Sequence, residues 1–148
     1  MMKISAKGGG DTPEDWKGAY DIALDKRLDK DKMNWRRKSI KVIIHIADAG
    51  AHTLRFSDGD NKHNDFGDEI GLVENIKSCA KQKINIFAYQ IGSHPKKSFS
   101  ECKSIYDSVG AKDCNYEIYK FKHASDKEVA DKLKDNITNH ISAFIAKK

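Results

Sequence analysis

Apolar positions along the chain fall into two periods, and the switch between them predicts the elements. Val42, Ile43, Ile44, His45, Ile46 and Ala47 form a short, nearly unbroken, β-branched run, the pattern of a strand buried on both faces. Ile84 to Ile91 repeats the pattern as a second strand. From Asn115 to Phe121 apolar and polar residues alternate more evenly, which suits a strand at the edge of a sheet. Helical spacing fills the intervals. Trp16, Ala19, Tyr20, Ala23 and Leu24 recur at i, i+3, i+4, i+7 and i+8, one apolar face predicted to be core. A second helix, from about Glu69 to Lys81, buries Leu72, Val73, Ile76, Cys79 and Ala80. A third buries Phe99, Cys102, Ile105, Tyr106 and Val109, and the last carries Val129, Leu133, Ile137, Ile141, Phe144 and Ile145 in a long stripe. Helices alternating with strands imply right-handed crossovers and a parallel sheet covered on both faces.

The element boundaries have their own chemistry. Thr12 is placed to cap the first helix, with Pro13 at its first position and Glu14 and Asp15 in its first turn. Ser98 with Glu101, and Ser125 with Glu128, have capping-box spacing, while Gly110 ends the third helix. The charged stretch from Asp25 to Lys32 either prolongs the first helix into solvent or loops out, before Met33 and Trp35 return to the body. His45, inside the apolar strand, reads as a hydrogen-bonded core histidine.

Composition narrows the class. A chain of 148 residues, 39% hydrophobic and 33% charged, fits one globular domain spanning residues 1–148. No apolar run is long enough to span a membrane, and Met1 to Ala6 contains no secretory h-region. Cys79, Cys102 and Cys114 are odd in number and lack C-x-x-C spacing, so they read as reduced thiols, in keeping with the cytoplasm. The net charge of +5 comes from interleaved lysines and acids rather than basic blocks, which speaks against a nucleic-acid partner.

Candidate chemistry gathers where the first strand ends. Asp48 follows the run at once and is itself followed by Ala49 and Gly50, so the strand delivers a carboxylate to a tight loop. Ligands of open parallel sheets sit beyond the carboxyl ends of the strands. Ordinary turn chemistry accounts equally for an Asp before small residues. The polar stretch from Arg55 to Asp68 is long enough for a recognition loop. Within it, Asp58, Asp60, Asn64 and Glu69 echo a calcium loop, but Lys62 and His63 occupy positions that need an oxygen ligand and a glycine. His52 and His63, near Asp65 and Asp68, offer imidazole and carboxylate at the same edge, either as a transition-metal site or as a partner-binding surface. No G-x-S-x-G, P-loop or Cys/His arrangement is present.

Two segments, Gly8-Gly9-Gly10-Asp11-Thr12-Pro13-Glu14-Asp15 and Val42 to Ala49, resemble the second and third loops of a von Willebrand factor type A domain, of the variety found with alpha-type protein kinases in protists. The similarity extends over the order of elements from about Lys7 to Phe121. It implies an α/β fold, a Rossmann-like three-layer parallel sheet with helices on both faces. Here that fold is partial, with about three strands, because the family's first strand and its Asp-x-Ser-x-Ser loop have no counterpart. The family's metal-ion-dependent adhesion site holds Mg²⁺ with hydroxyls and carboxylates from three loops, completed by an acidic residue of a protein partner. By position, Asp11, Thr12 and Asp48 stand at the metal ligands of the second and third loops. Two loops without the first would hold Mg²⁺ weakly or not at all, since the ion demands near-octahedral oxygen ligation.

The resemblance implies a non-catalytic protein-binding module with a degenerate adhesion site. A receiver-like or phosphoryl-transfer domain using Mg²⁺ and Asp48, with Lys96 after the second strand, is the alternative. One further expectation follows: in the family's order the missing strand lies beside Lys41 to Ala47. That edge is then bare, and a bare apolar edge pairs with a second copy of the chain or is covered by the chain's own ends.

Overall fold

The computed structural model describes residues 14–25, 33, 35–56, 66–122 and 126–146, without the side chains of residues 66 and 126–130. The chain is α/β, a three-stranded parallel sheet with four helices, consistent with a partial Rossmann-like fold. In order the elements are α1 (Trp16–Ala23), β1 (Lys41–Ala47), α2 (Phe66–Lys81), β2 (Ile84–Ile91), α3 (Lys96–Ser108), β3 (Tyr116–Phe121) and α4 (Asp126–Ala146). The strands lie in the order β1-β2-β3, with Ile44 beside Phe87 and Tyr89 beside Tyr119. Both neighbouring pairs run parallel, as crossovers through helices require.

Alternation along the strands sorts the residues onto two faces. Ile43, Ile84, Ile86, Ala88, Tyr116 and Ile118 join the main core with Trp16, Tyr20, Leu72, Ile76, Phe99 and Cys102 of the first three helices. On the opposite face α4 is held by rings. His140 stacks on Tyr119 at 3.8 Å between centroids, Phe144 meets Phe87 edge-on at 5.4 Å, and His140 Nδ1 lies 3.1 Å from the Tyr89 hydroxyl. These anchors all belong to β2 and β3. On the same face Ile44 and Ile46 of β1 remain 39% and 45% exposed. The strand that the apolar run placed inside the sheet is half-buried at its edge.

Three boundaries differ from the sequence reading. Asp15 caps α1 by accepting the Gly18 N–H at 2.7 Å, because the helix starts at Trp16; Thr12 and Pro13 lie outside the described residues. Ser98 does not cap α3, which begins at Lys96 after Pro95; its hydroxyl is fully buried and used elsewhere. Phe66 rather than Glu69 begins α2. Gly110 does follow the end of α3, at φ 66°, where its missing Cβ avoids left-handed strain. The second capping box includes Ser125, outside the described residues.

Candidate functional site

At the carboxyl end of β1 the chain bends at Asp48 and turns inward, so that Ala49, Gly50 and Ala51 are buried while Asp48 stays exposed. Two contacts fix this turn. The Ala51 N–H donates to Ser98 Oγ at 2.9 Å, and the Ser98 hydroxyl in turn donates to the Phe56 carbonyl, tying the loop to the first turns of α3. Gly50 is demanded by the closeness of that clamp: a Cβ there would lie 2.8 Å from Ser98 Oγ.

The second contact comes from the segment ahead of α1. Glu14 forms a parallel bridge to Ala51, its N–H donating to the Gly50 carbonyl at 2.8 Å while its own carbonyl accepts from the His52 N–H at 3.3 Å. The bridge sets the start of α1 beside the end of β1. Between them opens a cleft of about 430 Å³ lined by Glu14, Asp15, Trp16, Ala19, His45, Ile46, Ala47 and Asp48. Three carboxylates therefore share one mouth, although one oxygen of Asp15 is engaged in capping. The floor of the cleft is aromatic: the His45 ring meets Trp16 at 4.2 Å and Phe99 at 4.9 Å, and its Nδ1 lies 3.0 Å from the Tyr20 hydroxyl. Burial pushes the His45 imidazole down from 6.5 to about 4, so it is neutral at physiological pH, as the reading of a core histidine requires.

His52 lies on the other side of the bridge. Its Nδ1 is 3.8 Å from Asp68 Oδ2, in a packed crevice too tight for a water molecule that also touches Glu14, Lys17 and Leu72. The cleft at Asp48 and the crevice at His52 thus share Glu14, Asp15 and Trp16. Of the other candidates, Asp11, Thr12, His63 and Asp65 lie outside the described residues. Among the described residues, no three His, Cys, Asp or Glu side chains converge as a metal cage. Hard carboxylate oxygens from Asp48 and Glu14 suit Mg²⁺ in kind, but two such donors leave most of an octahedron to water.

Nucleophile chemistry finds little footing. All three cysteines are free and buried, and burial pushes the Cys102 thiol up, away from thiolate character. Lys96 is exposed at the first position of α3, and among the described residues no ion pair joins it to Asp48.

The sequence reading missed two parts of this site. Glu14 and Asp15 were accounted for as first-turn acids, and Ser98 as a cap. For the acids the signal was their adjacency to the Gly8–Asp11 segment. For Ser98, nothing in local spacing distinguishes a cap from a clamp.

No family model matches the chain, and no solved structure matches it. A stretch of 56 residues, 38% of the chain, is 39% identical to the alpha-protein kinase vwkA of Dictyostelium discoideum. That match covers 8% of the kinase.

Proposed function

We propose that the chain is a non-catalytic protein-binding module of the von Willebrand factor type A kind, working through the carboxyl edge of its sheet. Asp48, with Asp11 and Thr12, forms a degenerate adhesion site that takes Mg²⁺ weakly and engages an acidic residue of the partner. His52, His63 and Asp65 belong to the surrounding recognition surface. A cytoplasmic setting accords with the free buried thiols. Among the described residues no helix is long and apolar enough to cross a membrane.

One observation carries this reading: the Glu14 to Ala51 bridge, which brings the end of the Gly8–Asp15 segment against the loop that begins at Asp48. Those are the two segments whose resemblance implies adjacent metal loops. The likeness to a short part of an alpha-protein kinase accords with a module that accompanies such kinases.

The competing reading, a phosphate-accepting domain using Asp48, draws on the same carboxylates. It requires a lysine held at the site, and among the described residues no ion pair holds Lys96 to Asp48. Incubation with acetyl phosphate and Mg²⁺, followed by intact mass measurement, separates the two. The binding module gains no mass; a phosphoryl increment lost in Asp48→Asn establishes the receiver instead.

A further inference from the structure

The outer edge of β1 has no strand beside it among the described residues. Among the described residues β1 pairs with β2 alone, so one row of its backbone N–H and C=O groups has no ladder partner. Helix α1 stands over that side. Its Trp16 and Tyr20 reach His45 in the middle of the strand, while Ala19, predicted as core, is exposed, and Ala23 is only half-buried. Ala19, Tyr20 and Ala23, with Ile43, Ile44, His45 and Ile46, line a groove of about 190 Å³ along the strand. The groove and the acidic cleft share Ala19, His45 and Ile46, so an apolar lane runs into a mouth carrying Glu14, Asp15 and Asp48.

We propose that this lane docks one extended segment of a partner protein, apolar along its length and bearing a lysine or arginine where it passes Asp48. Unpaired edge groups call for a strand rather than a helix, because only an extended backbone satisfies them in series. Ile44, Ile46, Tyr20 and the two alanines call for apolar side chains. The three carboxylates supply the charge that a basic residue complements, and none of the residues lining the cleft is a cation. A second copy of the chain fits less well. Antiparallel pairing of β1 with its mate about a two-fold axis would bring two α1 helices, each about 10 Å across, over the same mid-strand position beside His45.

The basic side chain and Mg²⁺ would compete for Asp48, so this docking mode belongs to the metal-free state; its test is run in EDTA, and its failure leaves the Mg²⁺ reading untouched. Two fluorescein-labelled heptapeptides of alternating valine and threonine, one with lysine at its amino end and one at its carboxyl end, are titrated into the full chain by anisotropy. One of them is expected to bind saturably. Asp48→Lys should weaken that binding about three- to fivefold, and replacing the peptide's lysine by glutamate should restore it to the variant. Ala19→Trp, at an exposed position, should fill the lane and abolish binding while leaving the thermal midpoint in place. Absence of saturable binding, or binding indifferent to both substitutions, overturns the proposal. So do two other outcomes. Light scattering that shows a dimer dissociated by Ala19→Trp assigns the lane to a second copy. Peptide binding seen only after removal of residues 1–7 assigns it to the chain's own start.

Discussion

The Tyr20 hydroxyl lies 3.0 Å from His45 Nδ1, and this contact joins α1 to the edge strand through a neutral imidazole. Burial pushes His45 from 6.5 to about 4, so between these values the unfolded chain binds a proton that the folded chain refuses. Stability from this group is complete above about pH 6.5 and falls as pH drops toward 4. The loss approaches about 3 kcal/mol at most. Denaturant titrations at steps of pH should show that slope, and His45→Phe should flatten it relative to the parent chain. Parallel profiles for the two proteins would mean that His45 is not held neutral.

Ser98 and Gly50 form a second testable pair. Ser98→Ala strips the buried Ala51 N–H and the Phe56 carbonyl of their shared partner, at a cost of about 1–3 kcal/mol. Gly50→Ala should destabilise as well, because its Cβ would meet Ser98 Oγ at 2.8 Å. The two effects are not independent: with Ser98 already alanine, Gly50→Ala should cost distinctly less. A double-mutant cycle reads the coupling, and strict additivity would show that the clamp does not govern the turn.

The uneven cover of the second sheet face gives a contrast between two substitutions. His140→Ala removes both the stacking on Tyr119 and the hydrogen bond to Tyr89, and should lower stability by about 1–2 kcal/mol. Ile46→Thr, at a 45% exposed position on the same face, should stay within about 0.5 kcal/mol of the parent. Thermal or denaturant unfolding measures both. A large loss at Ile46 would mean that another segment covers β1.

Much of the fold was legible because period and length are local signals. Two apolar runs and one alternating stretch became three strands, and Gly110 marked the end of α3 where a left-handed residue was needed. What failed was non-local. Ala19 has the spacing of a core residue, yet whether such a face is buried depends on what lies opposite, and among the described residues nothing fills the lane beside β1. Ser98 has the spacing of a cap, but a loop some forty positions earlier claimed its hydroxyl. The site divided in the same way. Asp48 was visible from the strand it ends, whereas Glu14 and Asp15 joined it only through a backbone bridge that no spacing rule encodes.

Calorimetric titration of Mg²⁺ into the full chain tests the central claim most directly. The adhesion-site reading predicts weak binding, with a dissociation constant at or above about the millimolar range for a site that leaves most of the coordination to water. That heat should vanish in Asp48→Ala and persist in His52→Ala. Tight binding that survives Asp48→Ala would contradict the account and move the metal to the loop that carries His52 and Asp65.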